Sequence, residues 1–116
     1  LDLSENKLEK LPKEIGQLIN LRYLNLANNR LENLPSELKN LINLQELDLS
    51  GNPIQHLPDF ILQFKQLKNL KLHNVPIAGV SKDQISRTED VIALKSILQE
   101  SAVVQETIDE GFLHLR

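Results

Sequence analysis

Three histidines, His56, His73 and His114, are the first residues to weigh for chemistry, since imidazole both ligates metals and moves protons near neutral pH. They lie far apart, without the short paired spacings of a zinc site. His73 also falls in a stretch read below as a strand, on its solvent side. The chain has no cysteine, which removes thiolate ligands, disulfides and cysteine nucleophiles together. Serines, aspartates and histidines are present, but no GxSxG elbow lifts a serine into attacking position. Gly16, Gly51, Gly79 and Gly111 stand singly, so no glycine-rich loop cradles a phosphate. The adjacent acids Asp109 and Glu110 read as a solvated surface. No catalytic residue, metal ligand or cofactor is assigned and no enzymatic activity is expected, which leaves recognition at a surface.

Charge narrows the class of partner. The formal net charge is −3. Residues 1–80 hold nine Lys/Arg against nine Asp/Glu, and residues 81–116 hold four against seven. With no basic stripe, the chain lacks the footprint of a nucleic-acid binder. No apolar run approaches the roughly 18 residues of a membrane span, and no signal-peptide pattern opens the chain. The lack of cysteine favours a cytoplasmic location. The lack of methionine marks a fragment or processed product, which leaves a secreted protein with a removed signal open.

The elements that would display a binding surface come from a repeat. Shifting the chain by 23 residues aligns Leu1, Leu24, Leu47 and Leu70, and with them Leu3, Leu26, Leu49 and Leu72. Asn6, Asn29 and Asn52 follow in register, then Leu8, Leu31, Ile54 and Ile77. Pro12, Pro35 and Pro58 recur next, ahead of Ile15, Leu38 and Ile61. Within a unit, Leu24 and Leu26 alternate like a short strand with one buried side. Asn29 turns the chain inward, its amide serving backbone groups that a buried turn would orphan. Leu31 and Leu34 point inward from an arc that Pro35 closes, opening a helical turn. Leu38, Leu41 and Leu44, three apart, fit a short helix or 3₁₀ segment. Such a unit cannot bury its own leucines, so neighbours must stack.

The unit LxLxxNxLxxLPxxIxxLxxLxx resembles the leucine-rich repeat, most closely its 23-residue LPxxI type found in Ras-group scaffolds and bacterial repeats. The likeness covers about residues 1–80. It implies an α/β fold: a right-handed solenoid with a short parallel sheet on the concave face and a C-terminal capping helix. Residues 1–80 form three full units and a degenerate fourth, and residues 81–116 a helical cap and tail.

The fourth unit decays. Val75 stands at the asparagine position, Ser81 at the proline position, and Arg87 and Asp90 at core positions. A position that ties one coil to the next is dispensable where no coil follows. Ser86 and Glu89 fit a capping box for a helix over about 87–109, whose Val91, Leu94, Leu98 and Ala102 share a face that would seal the last coil. Residues 87–115 could instead mediate self-association, and Phe112, Leu113 and Leu115 add apolar side chains there. Leu1 already occupies the first strand position of a full unit, so further repeats or a cap are expected before it.

On the concave face, the outward positions are Asp2, Ser4, Glu5 and Lys7 in the first unit, then Asn25, Ala27, Asn28 and Arg30. The third unit supplies Asp48, Ser50, Gly51 and Pro53, and the fourth Lys71, His73, Asn74 and Pro76. Candidate partner-binding residues are Asp2, Glu5, Lys7, Asn25, Asn28, Arg30, Asp48, Lys71 and His73. This face reads as polar and free of aromatics, with Arg30 its one residue of hot-spot type. Four strands at about 4.8 Å give a sheet about 15 Å wide, and an ordinary interface uses about 800 Å² per partner, so the chain supplies part of a surface or a weak one. The resemblance also allows a structural or regulatory role in a larger signalling enzyme, as where such repeats precede the GTPase domain of Roco-type proteins. In bacterial ubiquitin ligases they accompany a cysteine-dependent domain, which this chain cannot contain.

Overall fold

A computed structural model of the protein describes residues 1–80 and 89–96. The alternating leucines form three parallel strands, β1 (Tyr23–Asn25), β2 (Glu46–Asp48) and β3 (Asn69–Lys71), paired in chain order. Tyr23 faces Glu46 and Glu46 faces Asn69, so the sheet register equals the sequence repeat. Asp2 joins through a single parallel bridge to Asn25, which adds the first coil to the same sheet. The ladder runs beyond the named strands with the same bonds recurring. Leu3, Leu26 and Leu49 donate to the carbonyls of Asn25, Asp48 and Lys71, and Glu5, Asn28 and Gly51 to those of Ala27, Ser50 and His73.

Behind the sheet, Leu24, Leu47 and Leu70 are at most 2% exposed, and the second leucine of each strand segment is equally buried. These side chains join Leu31, Leu38, Leu41, Leu44, Ile54 and Ile61 in one core that runs through the stack. Truncating any of these leucines to alanine would cost about 2–5 kcal/mol.

Each of the three recurring prolines stands one residue ahead of a 3₁₀ helix, at Lys13–Gln17, Ser36–Asn40 and Asp59–Gln63. Pro12, Pro35 and Pro58 share φ near −65°, the value the ring imposes, with ψ near 146°. Their carbonyls accept the first bond of each helix, from Ile15, Leu38 and Ile61. Proline thus contributes an acceptor at the cap rather than filling the first helical position. Successive 3₁₀ helices touch where Gly16 is buried: a Cβ there would come 2.6 Å from the Glu37 carbonyl oxygen.

The buried asparagines reverse one expectation. Asn29 accepts from the N–H groups of Asn6 and Leu8 and donates to the Leu3 carbonyl, all in the coil before it. Asn52 likewise donates to Leu26 O at 2.8 Å and accepts from Leu31 N–H at 3.1 Å. Asparagine therefore ties its coil to the preceding one. Val75, 1% exposed at the fourth such position, therefore forgoes a link to the third coil, the one before it.

The segment after the fourth coil also differs from expectation. Residues 89–90 are not helical: Asp90 bridges Asn69 antiparallel, with Leu70 N–H donating to Glu89 O and Val91 N–H to Lys68 O. A helical turn occupies residues 91–96, and Asp90 caps it by accepting from Ile92 N–H at 2.8 Å. Glu89 thus closes the sheet edge rather than completing a capping box, and Val91 and Leu94 are buried against the core. Ser86, the helical span beyond residue 96, most of the self-association segment 87–115 and the apolar residues 112–115 lie outside the described residues.

Candidate functional site

The period of two that buries Leu24, Leu47 and Leu70 turns the residues on either side of them outward. One outward row is Asp2, Asn25, Asp48 and Lys71; the row before it is Tyr23, Glu46 and Asn69. Together they line a groove of about 240 Å³ across the sheet, with Leu1 at one end. Four candidates from the sequence, Asp2, Asn25, Asp48 and Lys71, meet here.

The polar atoms of this row already serve the fold. Asp2 Oδ1 accepts from Ser4 N–H and the Ser4 hydroxyl, Asn25 Oδ1 from Ala27 N–H, and Asp48 Oδ1 from Ser50 N–H. Each is an Asx turn that bends the chain as it leaves the strand. The Ser4 hydroxyl and N–H hold the Asp2 carboxyl below the usual aspartate range. In the neighbouring row Asn69 Nδ2 donates to Glu46 Oε1 at 3.1 Å.

Glu5, Asn28, Gly51 and Asn74 occupy one position of successive coils, and all have left-handed φ, from 57° to 72°. The position is a turn requirement before it is a recognition site, and asparagine and glycine suit it better than glutamate. Lys7 shares the left-handed conformation at φ 56°. Arg30 lines no part of that groove. It lines a hollow of about 590 Å³ with Glu9, Lys10, Glu32, Asn33 and Pro53. Arg30 and Asp48 therefore line separate hollows.

His73 is not simply solvated. Its N–H donates to Ser50 Oγ, and its Nε2 lies 3.0 Å from Glu89 Oε1. The hydrogen bond with His73, with the Lys71 charge assisting, holds the Glu89 carboxyl below the ordinary glutamate range. The segment after the last coil thereby reaches the basic end of the face. Among the described residues, no group of three His, Cys, Asp or Glu side chains is arranged to hold a metal, and no helix is long and apolar enough to cross a membrane.

Tyr23, Glu46 and Asn69 were missed because the first unit begins at Leu1, so nothing marks the outward position ahead of the first leucine. The alternation does contain the signal: a residue one before a buried strand leucine shares the side of the residue one after it. Tyr23 is 54% exposed, so the face carries an aromatic after all.

A family model described as a leucine-rich repeat region matches residues 1–106. Among solved structures, the chain is similar to a leucine-rich repeat protein of Leptospira interrogans, with 46% sequence identity and a TM-score of 0.57. The match covers 66% of this chain and 21% of that one, so the chain spans about a fifth of that protein's length. No curated protein matches the chain.

Proposed function

The chain belongs to the leucine-rich repeat family, and from that premise we propose that it is a non-enzymatic recognition module holding a protein partner on the concave, outward face of its sheet. The observation that carries this reading is Tyr23, a large aromatic left 54% exposed in the groove across the sheet. An exposed ring contributes little to the stack behind it, whereas tyrosine is among the residues that dominate binding energy at interfaces. The coils wind right-handed, as connections between parallel strands do. A helix opening at residues 91–96 covers the last coil, supported by the burial of Val91 and Leu94.

The test uses binders selected from a protein-domain library against the full chain. Tyr23→Ala should weaken binding with unchanged thermal stability. Ile42→Ala should not, because Ile42, 65% exposed, lies on the hollow formed with Phe60 and Phe64, away from the sheet face. The opposite pattern would move recognition to that other surface. Arg30→Ala separates the hollow beside Glu9 from the sheet groove.

A further inference from the structure

Tyr23 has a charged frame. Glu46 faces it in register on β2, while Asp48 and Asp2 sit one step along on the coils either side, flanking Asn25. Direct neighbours across a sheet are about 5 Å apart and diagonal ones about 7–8 Å, within reach of one long side chain. Each carboxylate has lent a single oxygen to the fold: Asp2 Oδ1 to Ser4, Asp48 Oδ1 to Ser50 and Glu46 Oε1 to Asn69. The second oxygen of each has no protein partner among the described residues. No cationic side chain lies within 4.0 Å of any of the three, since the ion pair among the described residues is His73–Glu89. Lys71, the one basic side chain in the groove, lends its field to Glu89. The α-ammonium of Leu1 donates to the Tyr23 carbonyl, and its charge also acts on Asp2. Among the described residues, Glu46 and Asp48 beside Tyr23 are thus left without a paired cation. The three acids are spread over a face instead of converging as metal ligands do.

Resting on the recognition reading above, we propose that the groove receives a cationic segment of the partner protein, with an arginine stacked on Tyr23 among Asp2, Glu46 and Asp48. Charge complementarity selects the class of partner, and the ring selects arginine: a guanidinium stacks on an aromatic face and offers planar donors to carboxylates on both sides.

The chain contains one tyrosine and no tryptophan, so its intrinsic tyrosine emission reports Tyr23 alone. A synthetic Arg–Ser repeat peptide titrated into the full chain should change that emission saturably. Gln–Ser and Glu–Ser peptides of equal length should not. With labelled peptide, Tyr23→Ala should weaken binding about threefold to fivefold, the scale of one exposed cation–π contact, and Tyr23→Phe should restore most of it. Glu46→Gln with Asp48→Asn should weaken it by roughly tenfold, a few-fold for each exposed charge. Asn25 already makes the same turn to Ala27 N–H at 3.0 Å, so Asp48→Asn keeps the fold. Equal binding of the arginine and glutamine peptides, or unchanged binding by the folded double variant, would overturn the proposal. So would a free polyamine that binds as tightly as the peptide. Library binders that need Tyr23 but neither Glu46 nor Asp48 would overturn it and leave the recognition reading standing. Binders indifferent to all three would overturn both.

Discussion

Replacing Asn52 tests the stacking mechanism directly. Its side chain is 1% exposed and donates to Leu26 O at 2.8 Å and Leu49 O at 2.9 Å, while accepting from Leu31 N–H at 3.1 Å. Leu26 O keeps a second donor, the Asn29 amide at 3.0 Å. Leu49 O has no such reserve, because Val75 stands where the next asparagine would be. Asn52→Ala therefore orphans two buried groups, Leu49 O and Leu31 N–H. At about 1–3 kcal/mol each, the loss is about 2–6 kcal/mol, or a fall in Tm of the order of 4 °C per kcal/mol. Asn52→Leu, which refills the volume without the polar atoms, should be nearly as damaging. Asn6→Ala is the control: its amide bonds Leu3 O and Ser4 O at an exposed end, where water substitutes, and the cost should stay near 1 kcal/mol. Urea unfolding followed by circular dichroism measures all three. A lower m-value for Asn52→Ala would show the stack parting between coils. If Asn52→Ala costs no more than Asn6→Ala, the asparagines do not hold the coils together.

Three further outcomes follow from the same geometry. Gly51→Ala should destabilise by about 1–3 kcal/mol, since φ is 72° and a Cβ would strike the Asn28 side chain; Glu5→Gly at the equivalent turn should stabilise by up to about 1 kcal/mol, both read by urea unfolding. Gly16→Ala should lower the Tm, because the Cβ meets the Glu37 carbonyl at 2.6 Å and a backbone atom yields little; an unchanged Tm would show that the helices can slide apart. The lowered pKa of Glu89 means that its carboxylate, bonded to His73, adds stability above its unfolded pKa and loses it as pH falls through the folded value. The protection factor of the Val91 amide, bonded to Lys68 O, its exchange rate taken relative to an unstructured peptide at the same pH, should therefore fall on acidification through that window, and Glu89→Gln should abolish that fall.

Much of the coil was legible in the residues. Leucines three apart around Leu38 announced the 3₁₀ helix, and Pro35 announced its start, because both features act over a few residues of chain. The site was less legible. Asp2, Asn25 and Asp48 were read as free recognition groups, yet each spends one oxygen on its own turn, a local bond that the bare row of outward positions does not reveal. Tyr23 went unread because its row has no member in the first coil. Glu89 was assigned to a helix by a plausible cap, but its backbone answers to β3, twenty residues earlier in the chain, whose open edge offers unpaired donors and acceptors.

Twenty-three-residue periodicity alone specified parallel strands, buried leucines and stacked coils, since hydrophobic burial repeats wherever the same unit meets its own copy. Which coil each asparagine grips, how residues 89–91 seal the edge and which carboxylate oxygens remain open around Tyr23 were decided only once the chain was folded. Those features depend on hydrogen-bond partners that are close in space and distant in sequence.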